Sequence, residues 1–597
     1  MKFLGYLLNL SCCVAVVCSS SVFAAAVNNK AADPEAATGI TQKVRVDSAN
    51  AMVVSANPLA TAAGQQMLAA GGSATDAAIA VQLMLGLVEP QSSGIGGGLF
   101  MLHFDQAQKK LQTIDGRETA PAAAHPDWFK VEGKTLDWRR AYIGGKSVGS
   151  PGVIRALYDA HQRWGKLPWS QLFAPAIATA EQGFVVSPRL ATLLKIYQGG
   201  GLSHFSASKD YFYPKGQPLK AGQTLKNPAY AALLRKIASE GPSAFYLGNN
   251  AAAIISTVNS APVNPGQLAA ADLAEYRAVE RAPICQRYRQ VNVCGMAPPS
   301  SGSLAVLQIL GMLEQYDMAS LPVNSARAVH LFAQASRLAF ADRERFLADP
   351  DFASVPVAGL LSRDYLRKRG AAIGQQDPKL VLSGEPEGAM ALSSSQAVEF
   401  ENTSHFSIVD SRGNAVSVTT SIENAFGSGL WVNGYLLNNQ LTDFSLEASV
   451  NNLLVANRVE AKKRPRSSMA PMMVFNEQGE LLMLAGSPGG SRIINYVAQA
   501  LVAMIDWQLD PQQAADLPKV THRNDFLALE QGTELEAVLP KMQELGYQVK
   551  MVELNSGLHL IKSRQMAGKV VRIHDAKVRR WDCNFMLAAL KRIVQLG

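Results

Sequence analysis

From Thr403 onward the side chains alternate with a two-residue period. Even positions Phe406, Ile408, Val416, Val418 and Ile422 are apolar, whereas odd positions Thr403, His405, Ser407, Ser417, Thr419, Ser421 and Glu423 are polar. A period of two belongs to the β-strand, so the stretch predicts two strands with one apolar face, joined by the turn Asp410-Ser411-Arg412-Gly413-Asn414. Residues opposed across an antiparallel pair share a face, so their numbers must sum to an even value. A three-residue loop with Gly413 in the left-handed position meets that condition. It sets Asp410 opposite Asn414 and brings Thr403 level with Ser421. Taken alone, this is an ordinary half-buried hairpin with a threonine at its head.

Elsewhere helical and strand-like patterns mix. Asn57 to Leu87 has an apolar period near that of a helix, broken at Gly71-Gly72, and reads as two packed helices, the second starting near Ser73 or Thr75. The glycine run Gly94 to Gly98 follows a helix and leads into a strand. A dinucleotide fingerprint needs the opposite order, so close backbone packing is the expectation here. Gly144-Gly145-Lys146-Ser147 lacks the earlier glycine of a phosphate loop, that position being Arg140. Leu304 to Glu314 reads as an amphipathic helix. The charges of Arg337 to Asp351 read as a solvated helix and its exit turn, and Gly384 to Glu401 as a mobile linker. From Tyr547 to the end the chain alternates as strands.

The 597 residues, 48% hydrophobic and 17% charged, suffice for a large globular core and exclude a disordered chain. Met1-Lys2, the apolar run to Val17 and Val22-Phe23-Ala24 read as a signal peptide over residues 1–24, with Ala26 as a second cleavage option. A soluble protein, periplasmic or secreted and without a membrane anchor, is expected. Cys12, Cys13 and Cys18 leave with the leader, and no good lipobox surrounds them. Cys285 and Cys294 flank strand-like Gln286 to Val293 and form either a local disulfide or two small buried residues, while Cys583 is single. There is neither a C-x-x-C nor an H-E-x-x-H motif, so no metal and no cofactor is expected. The net charge of +8 is scattered. Its densest cluster, Lys462-Lys463-Arg464 with Arg466, reads as a solvated face, and without aromatics it does not point to nucleic acid.

The run Thr403-Ser404-His405-Phe406-Ser407-Ile408-Val409-Asp410, with Gly413-Asn414-Ala415-Val416-Ser417, Thr419-Thr420-Ser421-Ile422-Glu423 and Phe426-Gly427, resembles the signature of the γ-glutamyltransferase (glutathione hydrolase) family. The resemblance extends over roughly Ser48 to Pro540. It implies an α+β fold, the four-layer αββα sandwich of N-terminal-nucleophile hydrolases. It also implies self-cleavage between Asn402 and Thr403 into a heterodimer of residues 25–402 and 403–597. The new threonine terminus would then supply both the attacking hydroxyl and the amine that takes its proton.

Further segments carry the resemblance. Arg117, in Asp115-Gly116-Arg117-Glu118-Thr119-Ala120-Pro121, matches the arginine that grips a substrate α-carboxylate, which a guanidinium fork suits better than an ammonium. Ser467 and Ser468 match its hydroxyl partners. Gln440 and Asp443, in Leu436-Leu437-Asn438-Asn439-Gln440-Leu441-Thr442-Asp443-Phe444, match residues around the substrate amino group. Gly489 and Gly490 follow a strand and precede a helix, where backbone N–H groups can face an oxyanion, and they match the family's oxyanion pair. Two departures stand out. Ser421 and Glu423 occupy positions where many members carry threonine and asparagine. The segment between Asp443 and Ser467 is short beside members that fold a lid there, so a more open cleft is expected.

The expected function is hydrolysis or transfer of the γ-glutamyl group of glutathione and other γ-glutamyl amides, through an acyl-Thr403 enzyme, to water or an amino-acid or peptide acceptor. The alternatives are an acylase that removes glutaryl-type side chains from β-lactams or other amides, and an uncleaved binding homologue.

Overall fold

The structure is a computed structural model and describes residues 44–395, 397, 402–554, 556–566 and 569–573. The leader, the residues just before Asn402, and Cys583 lie outside the described residues.

Thirteen strands build two antiparallel sheets. In chain order they are β1 (Asp47–Ser48), β2 (Met52–Ser55), β3 (Gly98–Asp105), β4 (Lys110–Gly116), β5 (Val279–Arg281), β6 (Ile284–Tyr288), β7 (Val291–Gly295), β8 (Ser404–Val409), β9 (Ala415–Ser421), β10 (Met472–Phe475), β11 (Leu481–Ala485), β12 (Ile561–Met566) and β13 (Lys569–Ile573). The first sheet runs β1-β13-β12-β11-β10-β7-β6 and the second β2-β8-β9-β3-β4-β5. Side chains from both sheets, among them Met52, Val54, Phe100, Leu102, Met473 and Leu484, meet in one buried cluster between them. Helices α1 (Pro58–Ala69), α2 (Ala74–Val88) and α3 (Val153–Trp164) cover the outside of the second sheet. Helices α4 (Gly302–Leu313), α5 (Ala326–Phe346) and α6 (Ile493–Ile505) cover the first. The result is a four-layer αββα sandwich, as the resemblance implied.

The β8–β9 hairpin has the register demanded by parity, running from Ser404 opposite Thr420 to Val409 opposite Ala415. Asp410 N donates to Asn414 O at 2.9 Å, and Gly413 takes φ +94°. Phe406, Ile408, Val416 and Val418 pack under α2, each side chain of this kind contributing about 1.5–3 kcal/mol when fully buried. The polar face is not solvated, which corrects the half-buried reading. His405, Ser407, Ser417 and Thr419 are all buried, because this face meets the other sheet rather than water. His405 Nδ1 lies 2.8 Å from Thr419 Oγ1, and Ser407 Oγ donates to His559 O at 3.4 Å.

Helix α2 starts where expected, with Ser73 as its N-cap in a reciprocal capping box with Asp76. The glycine run packs tightly, since a methyl on Gly97 would collide with the Ser421 carbonyl. Four expectations need correction. Gln286 to Val293 is not one strand but the heart of the β6–β7 hairpin, with Arg289 at φ +54° in its turn. Cys285 and Cys294 therefore face each other, and a disulfide joins them. In α5, Arg337, Asp342 and Arg343 are buried rather than solvated, as are Lys463, Arg464 and Arg466 of the supposed basic face. The described part of the 384–401 linker is pinned rather than mobile: Gly384 N, Ser393 N and Ser395 N donate to Asp342 Oδ1, Leu454 O and Glu344 O at 2.8, 3.0 and 2.7 Å.

Candidate active site

The head of β8 carries Thr403 to the middle of the second sheet, beside the end of β9. Around it lies a small cleft walled by Arg117, Asn402, Thr403, Ser421, Glu423, Gln440, Asp443, Ser467, Ser468, Met469, Gly490 and Ile493. Nearly every residue singled out from the sequence is therefore in one wall. Gly489 is absent from the wall and precedes Gly490 in the chain. The cleft holds about 20 Å³, little more than one water molecule, and its residues are buried, contrary to the open cleft expected from the short 443–467 segment. That segment is not bare, for Ser449–Val450 and Leu453–Leu454 pair as a small ribbon.

Ser421 stands between Asn402 and Thr403. Its Oγ donates to the Asn402 carbonyl oxygen at 2.8 Å and accepts a long hydrogen bond from Thr403 Oγ1 at 3.5 Å. The Glu423 amide donates to Ser421 Oγ at 2.8 Å, which fixes the hydroxyl rotor. Glu423 adopts φ +76°, an unusual conformation for a residue with a side chain, and its carboxylate receives the Asn439 amide.

The charged groups converge from distant parts of the chain. Arg117 leaves the end of β4 and is fully buried. Its Nε and Nη2 donate to Pro465 O (3.2 Å) and Arg466 O (2.8 Å), and Nη2 also reaches the Asp443 carboxylate. Gln440 Nε2 donates to the same Asp443 oxygen at 2.9 Å, while Gln440 Oε1 is buried with no hydrogen-bond partner. Glu118, buried beside Arg117, has its carboxyl pushed up to about 8 by burial, against the pull of that guanidinium. Ser467 Oγ accepts from the Met469 amide at 3.2 Å, which leaves its O–H to donate. Ser468 Oγ accepts from Arg343 Nη2 at 2.7 Å.

Gly489 (φ +130°) and Gly490 (φ +53°) form the turn between β11 and α6 in conformations that L side chains avoid. Sequence reasoning missed Arg343, which also donates to Ser301 Oγ at 2.9 Å, and Asn439, which holds Glu423. Asn439 lies within a motif that conceals only its partner, whereas Arg343 reads from the sequence as a solvated charge. Among the described residues, no group of three or more His, Cys, Asp or Glu is arranged to hold a metal, and no helix is long and apolar enough to cross a membrane.

An αββα sandwich with a hydroxyl residue at the head of a central strand, beside a glycine turn and a buried guanidinium, defines the N-terminal-nucleophile hydrolase class. Comparison with known proteins narrows this. A family model described as gamma-glutamyltranspeptidase matches residues 60–576. The glutathione hydrolase proenzyme of Escherichia coli (strain K12) is 37% identical over 530 residues, 87% of this chain and 89% of that protein. The acylase ACY 1 proenzyme of Pseudomonas sp. (strain SE83) is 36% identical over 525 residues, 86% of this chain and 90% of that protein. Among solved structures, a cephalosporin acylase from Bacillus halodurans superposes with a TM-score of 0.80 at 27% identity, covering 91% of this chain and 98% of that one. The chain belongs to the γ-glutamyltranspeptidase family.

Proposed function

We propose that this chain is a secreted or periplasmic proenzyme that cuts itself between Asn402 and Thr403 and then hydrolyses or transfers the γ-glutamyl group of glutathione and related γ-glutamyl amides. The observation that carries this reading is the position of Ser421 Oγ, 2.8 Å from the Asn402 carbonyl oxygen and in reach of the Thr403 hydroxyl. In the uncut chain Thr403 Oγ1 attacks the Asn402 carbonyl carbon while Ser421 donates to its oxygen. The C–N bond breaks as the hydroxyl proton passes to the Thr403 nitrogen, leaving a free Thr403 amine and an ester between Asn402 and Thr403 Oγ1, and water hydrolyses that ester to the Asn402 carboxylate and the free Thr403 hydroxyl.

That amine then takes the hydroxyl proton as Thr403 Oγ1 attacks the γ-carbonyl of a donor, and it returns the proton to the departing amine. Amide groups at Gly489 and Gly490 receive the oxyanion. Water or an amino-acid or peptide acceptor resolves the acyl-enzyme. Arg117, Ser467 and Ser468 take the donor's α-carboxylate. Glu423, Gln440 and Asp443 take its ammonium, a role supported by the unpartnered Gln440 Oε1, a buried acceptor lining the same cleft as the two carboxylates.

Two of the relatives are acylases by name, so the competing reading is a glutaryl-type acylase, for which no ammonium is needed. Parallel assays with γ-glutamyl and glutaryl p-nitroanilides separate the two. Preference for the γ-glutamyl donor is the expected result, and equal or faster turnover of the glutaryl amide overturns the γ-glutamyl reading. Thr403→Ala is expected to abolish both cutting and activity.

A further inference from the structure

Arg117 is held from behind by groups that do not enter the cleft. Its carbonyl oxygen receives the Tyr276 hydroxyl at 2.7 Å and Nη1 of Arg464, and its amide donates to Asp115 Oδ1 at 2.9 Å. Arg464 is itself fixed on every side. Its amide donates to Asp349 Oδ2 at 2.8 Å, Nη2 donates to Arg277 O at 2.7 Å, Nη1 reaches Tyr276 Oη at 3.2 Å, and Asp115 Oδ1 lies 3.6 Å from Nη1. The guanidinium also lies over the Tyr276 ring, 5.5 Å from its centroid. A cation that is 5% exposed is tolerated only with such partners, and a lysine cannot reach two carbonyls and a carboxylate at once.

The same short strap continues into the cleft. The carbonyls of Pro465 and Arg466, directly after Arg464, accept from the Arg117 side chain, and Ser467 and Ser468 follow. One five-residue segment therefore grips Arg117 by its backbone at one end, by its guanidinium in the middle, and presents the two hydroxyls at the other.

We propose that Arg464, with Tyr276, is a positioning residue for donor recognition: it sets the spacing between the Arg117 guanidinium and the Ser467 and Ser468 hydroxyls, and so the affinity for the donor's α-carboxylate. This rests on the reading of Arg117 as the carboxylate-binding group. It predicts an effect confined to donors that carry the carboxylate, because Arg464 does not line the cleft.

The test is steady-state kinetics of purified protein with γ-glutamyl-p-nitroanilide and with 4-aminobutanoyl-p-nitroanilide, which keeps the amine and lacks the carboxylate. For Arg464→Lys, KM for the γ-glutamyl donor rises about tenfold with kcat within about twofold, while kcat/KM for the decarboxylated donor stays at the wild-type value. Tyr276→Phe keeps the ring and removes one donor to the Arg117 carbonyl, and it gives the same split at about threefold. It serves as the deciding variant if Arg464→Lys does not fold. Unchanged KM for the γ-glutamyl donor, or an equal loss on both donors, overturns the proposal. A wild-type enzyme that treats the two donors alike would instead sink the Arg117 reading on which the proposal rests, a result distinct from a discriminating wild type whose variants show no split.

Discussion

At the scale of residues, Ser421 and Glu423 each make a prediction. Ser421→Ala removes the donor to the Asn402 carbonyl oxygen, and loss of one such donor slows the chemical step by about 10²–10³-fold. A time course of fragment appearance on denaturing gels should show that slowing, while Ser421→Thr should keep cutting near the wild-type rate. Glu423→Gln keeps the shape and the Asn439 contact but removes one of two carboxylates; KM for γ-glutamyl donors should rise about tenfold, with little change for glutaryl amides. What the sequence made legible here were residues inside ordered motifs: Thr403, Ser421, Glu423, Gln440, Asp443, Ser467 and Ser468 share a wall with Arg117. What it hid were buried charges. Arg343, Arg464 and Arg466 read as solvent-facing because a cation in sequence looks solvated until its partners from other parts of the chain, here Ser468, Asp115 and the Arg343 carbonyl, are known.

At the scale of elements, the β8–β9 hairpin shows what parity does and does not reveal. Register and turn followed from the two-residue period, since a slip of one would mix the faces. Burial of the polar face did not, because it depends on a second sheet whose strands come from elsewhere in the chain. That layer is sensitive to added volume. A methyl on Gly486 would overlap the His405 ring, which Thr419 and Ser407 hold in place, so Gly486→Ala should cost about 1–3 kcal/mol in denaturant unfolding. The layer also confers acid sensitivity. Burial lowers the His559 imidazole from 6.5 to about 4 and, with His559 as a lesser cause, holds His405 well below its ordinary value. Between these limits the unfolded chain binds a proton that the folded chain refuses. Stability is then full above pH 6.5 and is lost as pH falls towards 4. Thermal unfolding across that window should show a shallower decline for His559→Gln than for the wild-type protein; identical slopes would refute this assignment.

At the scale of the whole molecule, residues before and after position 403 interleave in both sheets. The second sheet places β8 and β9 between β2 and β3, and the first places β10 to β13 between β1 and β7. Cutting at Thr403 therefore leaves two pieces that share one core. They should co-elute on size exclusion and part only in denaturant, with or without a reductant, because the Cys285–Cys294 bond lies within the first piece. The layered architecture was legible because the signature is long. The small volume of the cleft was not, since it depends on how Asn402 and side chains from distant motifs pack against one another. The central claim is that Thr403 becomes a terminus, and intact mass with N-terminal sequencing of purified, active protein tests it most directly. The account predicts a fragment of residues 403–597 beginning Thr-Ser-His-Phe. An active chain with no new terminus at Thr403 would contradict it.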